Sequence, residues 1–437
     1  MDTSSISASQ FRVPDVHSFV KKLLILLIVL LPFQETYTAF MEESAKEHSL
    51  FKAMTHSDEV SGLILIVFAV SFIFLKPAYF KLYDAGITKP LVAFMAVSFI
   101  SIVWNGVYAP QGFFGVYNLL KNIAIIYLFA SLRWRKEEFL TLIRWITVIA
   151  VFLAVAGIIS EALALYGIDP GGTVHYREPR FGLYRVASLV GINNLNHLGK
   201  YSILALFLLY ATVKNKTNKY TGLFLILVLI FLTMSRQTWL GLVVLLVLMN
   251  RKWILPVILI AAGIAFITLS SQISYDPDEY YRAFTYLEAW KLLKAHPVLG
   301  VGPGMFGSVA SVVFNSPYYD EWPVRFAEAI RGRGGLDAFW PAVLAETGMA
   351  GFLSYLLIFG YLYKKIDAVK QYFSNDPLLY NIGTVLKYYI VALIIMCLFS
   401  GLNKPFVVFT FFSICGMYLS LYYQRTNPGS IKEQIPQ

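Results

Sequence analysis

The sequence predicts an all-α, polytopic membrane protein of about 12 transmembrane helices, with one large outer loop between the ninth and the tenth. Three observations predict it. Over 437 residues the hydrophobic content is 57% and only 14% of residues are charged, which excludes a soluble domain. Apolar runs recur along the chain at close to the roughly 20 residues that a helix needs to cross a bilayer. Lysines and arginines gather in alternate loops between those runs, as they do on a cytoplasmic face. The net charge of +10 would suggest a polyanion partner in a soluble chain; here most of it sets topology.

Residues 1–18 read as a polar cytoplasmic tail. Lys21 and Lys22 precede the run LLILLIVLLPF, and the lack of a small-residue cleavage site after it predicts an uncleaved first helix. Further runs near 60–76, 90–108, 113–132, 139–165, 197–213, 220–235, 238–249 and 253–270 complete nine helices within 19–270. The polar stretch 271–339 is the long loop, runs near 340–363, 384–402 and 405–423 fill 340–423, and 424–437 forms a second cytoplasmic tail. Lys76, Lys81, Lys89, Arg133, Arg135, Lys136, Lys214, Lys216, Lys219, Arg251, Lys252, Lys364, Lys365 and Lys370 mark the inner face. The acidic segment 35–59 falls outside, together with the long loop. Cys397 and Cys415 lie in late apolar runs and suit packing better than a disulfide or a metal.

The outer face should be poor in arginine, yet it carries Arg177, Arg180, Arg185, Arg236, Arg282, Arg331 and Arg333. Guanidinium groups hold phosphate oxygens in fork geometry, so such a cluster at a membrane surface suits a lipid-linked diphosphate. The competing reading pairs some of them with Asp276, Asp278, Glu279, Asp320 or Glu328 in surface salt bridges, or lets those near helix ends snorkel. Ser235 is expected to cap the helix that Arg236 opens. His197, His296 and Lys121 are further polar candidates, with His296 before Pro297 read as part of a turn and Lys121 as a charge inside the fourth run.

Four patterns stand in order: RVASLVGINNLNHLGKY from Arg185, TMSRQTWLGL from Thr233, YYRAFTYLEAWKLLKAHPVLGVGPGMF from Tyr280, and LDAFWPAVLAETGMAGF from Leu336. Together they resemble the O-antigen polymerase and ligase superfamily, the Wzy and WaaL membrane glycosyltransferases. The resemblance covers roughly Arg185 to Leu357; upstream helices match only in character. It implies a GT-C-like arrangement in a bacterial inner membrane, with the active site facing the periplasm and the 271–339 loop as its roof. The ligase branch has a histidine nine residues before the glutamate of the Glu-Thr-Gly signature, where this chain has Asp337. That departure tilts the expectation toward a polymerase, with the ligase that transfers glycan to lipid A core as the alternative. A lipid-linked oligosaccharide flippase fits less well, because transporters place binding groups near the midplane.

Sugar transfer outside the cell has no nucleotide sugars to draw on, so the donor is a glycan on undecaprenyl diphosphate. The reaction calls for a base beside the acceptor hydroxyl and positive charge around the phosphates. Asp337 is the expected base or acceptor-orienting group, unless it is only an N-cap of the helix beginning near Phe339. Arg185, Arg236 and Arg282 are the expected diphosphate ligands, with Arg331 and Arg333 closing from the loop. Gly300–Gly307 lacks the Gly-Lys-Ser/Thr ending of a nucleotide loop and reads as turn glycines. Asp276 and Asp278 flank Pro277 as in a plain turn, and nothing else has metal-ligand spacing, so transfer without metal or cofactor is expected. A flippase and a chain-length regulator are the partners the resemblance implies.

Overall fold

The computed structural model describes residues 16–33, 85–168, 190, 194–249, 277–333, 335–336, 338–402 and 405–426. Among them all regular structure is helical: α1 (Val16–Leu30), α2 (Ala85–Trp104), α3 (Ala109–Ser131), α4 (Lys136–Leu165), α5 (Leu195–Thr212), α6 (Lys216–Leu232), α7 (Arg236–Met249), α8 (Pro277–Ala295), α9 (Val309–Val313), α10 (Val324–Arg333), α11 (Phe339–Tyr372), α12 (Pro377–Met396) and α13 (Pro405–Thr426), with short 3-10 turns at Leu31–Phe33 and Pro317–Tyr319. The apolar runs near 60–76 and 253–270 lie outside the described residues; each of the other ten runs lies on a helix. Six of these helices, α2, α3, α4, α11, α12 and most of α13, are long and apolar enough to cross a membrane. The chain is therefore membrane-embedded.

Local chemistry explains where the helices start. Asn194 accepts from the Asn196 and His197 amides at the head of α5, and Asn215 accepts from Asn218 at the head of α6. Asp376 accepts from Leu379 while Pro377 occupies the first turn of α12, where a missing N–H costs nothing. Glu138 in the first turn of α4 accepts from the Arg135 amide, and Glu137 beside it adds negative charge at the positive end of the helix dipole. Before α7, Met234 turns the chain at φ 44°, and the Ser235 hydroxyl donates to Asn196 Oδ1 at 2.9 Å, which joins the heads of α5 and α7.

The helices pack as pairs: α13 along α3, α11 along α2, α7 along α12, and α6 between α4 and α5. Small residues permit the closest crossings. A Cβ on Gly416 would lie 2.6 Å from Phe129 and 2.7 Å from the Ile126 carbonyl. The two ends of the bundle differ in character. At one end Lys21 pairs with Glu138, Lys136 with Asp376, and Lys370 and Lys387 share Asp367, while Lys365 lies over the rings of Tyr422 and Tyr423. At the other end the helix heads of α5, α7 and α11 meet the last turn of α12 and the segment between α8 and α11.

That segment carries a core of its own. Phe284 stacks on Phe326 with centroids 4.4 Å apart, and Trp322 packs edge-on against Phe284, Phe306 and Tyr319. Tyr281, Ile330 and Leu336 complete the cluster, which reaches Ala342 and Ala345 on α11. A polar insert thus holds its shape by aromatic burial and rests on the helix that follows it.

Two glycines test the packing in opposite directions. A Cβ on Gly199 would lie 1.9 Å from Thr238 Oγ1, so Gly199→Ala should destabilise by about 1–3 kcal/mol. Gly360 has open space around it within α11, so Gly360→Ala should stabilise by about 0.5–1 kcal/mol. Thermal unfolding of the detergent-purified variants measures both, and shifts of the same sign would contradict the close α5–α7 crossing.

Candidate functional site

The first two motifs meet through the heads of α5 and α7. Besides the Ser235–Asn196 bond, Gly199 lies against Thr238, which lets the two helices touch backbone to side chain. One turn further into α7, Gly241 faces the Met396 side chain of α12; a Cβ there would lie 2.4 Å from Met396 Sδ. Lys200 is only 1% exposed and donates to the Gly401 carbonyl at 2.7 Å. Its own carbonyl accepts from the Tyr389 hydroxyl at 3.0 Å. His197 is buried with its ring edge-on to Phe406.

The last two motifs meet around Glu346. Helix α11 is broken at Gly348, whose φ of 62° and ψ of −168° interrupt its hydrogen-bond ladder. The chain Pro297–Gly302 takes up the freed groups: Val301 and Gly302 donate to the carbonyls of Ala345 and Glu346 at 2.9 Å each, while Met349 and Ala350 donate to Pro297 and Val298. Gly300 and Gly348 lie back to back, and a Cβ on either would come within 2.5 Å of the other strand of chain. Gly300, Gly302, Gly304 and Gly307 all have positive φ, as expected of turn glycines.

Into the concave side of that turn comes the Glu346 side chain, fully buried. Its Oε1 accepts from the Phe306 amide at 3.0 Å and the Ser308 hydroxyl at 2.7 Å. Successive backbone amides in such turns form a concavity for an anion. Here the chain's own carboxylate fills it. The next ring of bonds is equally local: the Gly307 amide donates to the Tyr319 hydroxyl at 2.7 Å, and that hydroxyl donates to Ser311 Oγ, which in turn donates to the Ser308 carbonyl. Burial raises the Tyr319 phenol above its ordinary range, so this hydroxyl stays protonated.

Both pairs of motifs converge on one turn, Met396–Gly401. The Cys397 carbonyl accepts from the Phe339 amide at 3.2 Å, and one turn earlier the Ile394 carbonyl accepts from the Trp340 indole at 2.8 Å. Leu398 accepts from the Tyr286 hydroxyl of α8, and Gly401 from Lys200. The last carbonyls of a helix have no partner within it and carry the negative end of its dipole. Donors from three motifs supply those partners, and Gly241 of the fourth packs against Met396.

The expected site residues are placed as follows. Arg236 opens α7 at this end and is exposed. Arg331 on α10 is exposed as well, with its guanidinium 3.5 Å from Asp320, a pair worth about 0–1 kcal/mol at such a surface. Arg282 and Arg333 lie on α8 and α10. Arg185 and Asp337 lie outside the described residues. The chain to either side of Asp337 is held: the Leu336 amide donates to the Gly307 carbonyl at 2.8 Å, and Ala338 occupies the N-cap position of α11. His296 accepts from the Gly300 amide through its carbonyl, within the turn. Lys121 is buried with its ammonium 5.6 Å from the Tyr117 ring. Among the described residues no group of three or more His, Cys, Asp or Glu is arranged to hold a metal.

Three contributors escaped the reading of the sequence: Glu346, Ser308 and Lys200. For Glu346 a signal was available, since an ionisable residue inside an apolar run is a functional candidate by default. Lys200 follows the same rule within the α5 run. Comparison with family models finds no match, and neither does comparison with curated proteins.

Gly348→Ala should unseat the turn. The new Cβ would lie 2.4 Å from the Val298 carbonyl at a backbone angle that L residues rarely adopt. We expect a loss of about 2–3 kcal/mol and faster tryptic cleavage after Lys294 and Arg325 in the purified protein. Wild-type stability with wild-type cleavage rates would contradict the close approach of Gly300 and Gly348.

Proposed function

We propose that this chain is a membrane glycosyltransferase of the polysaccharide polymerase type, moving a growing glycan from undecaprenyl diphosphate to a lipid-linked repeat unit. The observation that supports this reading is the meeting of the four motifs on the Met396–Gly401 turn, at one end of the bundle, next to the arginine that opens α7. Motifs scattered over some 170 residues of sequence have no packing reason to share one turn unless they serve one site. In this proposal the chain has about 12 spans, lies in the bacterial inner membrane, and keeps that end in the periplasm.

The chemistry follows from the donor. The acceptor hydroxyl attacks the anomeric carbon, the bond from that carbon to the diphosphate oxygen breaks, and the hydroxyl proton passes to a base. Asp337 takes the proton or orients the hydroxyl. The departing diphosphate gains negative charge, which Arg185, Arg236 and Arg282 hold from the helix heads and Arg331 and Arg333 from the loop. Removing one such arginine should slow transfer by a factor of about 100–1,000. A flippase that delivers the donor and a regulator of chain length are the implied partners.

The test is the surface glycan of a deletion strain complemented with wild type, Arg236→Ala or Asp337→Ala, with lipid-linked intermediates extracted alongside. Single repeat units accumulating on undecaprenyl diphosphate are the expected result. Long glycans stranded on that lipid would make the chain a ligase. An unchanged profile with both variants would remove these residues from the mechanism.

A further inference from the structure

Glu346 stands out as a buried carboxyl that the proposed chemistry does not use. Its surroundings are specific. Oε1 takes two donors, Phe306 N–H and Ser308 O–H, whereas Oε2 meets no protein partner. Between those two donors lies Gly307, whose carbonyl accepts from the Leu336 amide at 2.8 Å and whose amide donates to Tyr319. Leu336 is the residue before Asp337, and Phe339, two residues after it, is tied to the Cys397 carbonyl. A side chain nine positions along the sequence from Asp337 therefore governs the turn against which Leu336 rests.

We propose that Glu346 is a positioning residue: by holding Phe306 and Ser308 it fixes the Gly307 carbonyl, and so fixes Leu336, where the chain enters α11 next to Asp337 in sequence. The proposal rests on the role assigned to Asp337 above. Physically, Gly307 is the weak point. It has φ of +78° and no side chain, so bonds to its neighbours do the work that sterics do elsewhere. A hydrogen bond to Glu346 Oε1 from each side removes that freedom. The arginine that opens α7 is secured separately, by the Ser235–Asn196 bond and the Gly199–Thr238 contact, so losing the Glu346 bonds should disturb acceptor chemistry more than donor binding.

Two measurements on the full-length purified protein decide the matter. Hydrogen exchange of peptides covering 303–308 and 335–339 reads the linkage, independent of any activity. Glu346→Ala should speed exchange in both peptides by about tenfold or more, the loss expected when a buried acceptor is removed and its donors are left unsatisfied. Glu346→Gln keeps an oxygen for Phe306 and Ser308 and puts its amide nitrogen in place of the partnerless Oε2, so exchange should stay within about threefold of wild type. Should Glu346→Ala fail to fold, Ser308→Ala removes one of the two donors and should move the same peptides by a smaller factor. The second measurement is transfer between lipid-linked repeat units in detergent. Glu346→Ala should lower kcat about tenfold or more with donor KM within about threefold, and Glu346→Gln should recover most of that.

Unchanged exchange at 335–339 in both Glu346→Ala and Ser308→Ala would overturn the proposal, as would a Glu346→Gln variant that exchanges like the alanine. A kcat per folded molecule equal to wild type, with exchange increased, would also overturn it. Wild-type protein without transfer activity would instead sink the functional reading, leaving the exchange result to decide the linkage by itself.

Discussion

A helix that breaks inside an apolar bundle must find new partners for the peptide groups it frees, and the break at Gly348 is the constraint on which this structure depends. Water cannot serve there. The partners come from Pro297–Gly302, forty-odd residues earlier, so a polar segment is drawn down onto the head of a membrane helix. Two glycines back to back make that approach possible, since any Cβ at either position would collide with backbone. The break also turns Glu346 toward the turn it supports. One irregularity thus anchors the insert, shapes its glycine turn and supplies the carboxylate that fills it.

A second constraint of the same kind operates at the end of α12. The Ile394 and Cys397 carbonyls at its end accept from Trp340 and Phe339, and in the chain just beyond it Leu398 accepts from Tyr286 and Gly401 from Lys200. A neighbouring loop with its own hydrogen-bond needs would have competed for those groups. Instead, three separate segments use one helix end as a common reference, and their relative positions follow from it. The buried Lys200 is well suited to this role, because its charge lies at the negative end of the helix dipole. A shared reference of this type ties the head of α5, the head of α11 and α8 to one another.

The glycine-rich stretch bears out its reading as turn glycines. Gly300–Gly307 resembles a phosphate loop in its spacing, and its positive-φ glycines do orient amides toward an anion. The group that fills them is a carboxyl of the same chain. The stretch therefore serves the fold by seating Glu346.

Membrane embedding was legible in the sequence because hydropathy acts over a whole run and tolerates local error. The heads of α5, α6 and α12 went unread, although Asn194, Asn215 and Asp376 accept from amides within three residues of themselves, a range that a linear pattern can record. Ser235 shows the limit, since the partner of its hydroxyl proton, Asn196, lies 39 residues away in sequence. The arginine at the head of α7 could be singled out by its breach of topological bias, but nothing along the chain relates Glu346 to Phe306, or Lys200 to Gly401. By itself the sequence determined that this chain is a helical membrane protein with a polar insert and an arginine-rich face, because those follow from the solvent each residue tolerates. Which motifs meet, and which carboxylate fills the glycine turn, was decided only by the tertiary structure, where hydrogen bonds join groups separated by tens or hundreds of residues.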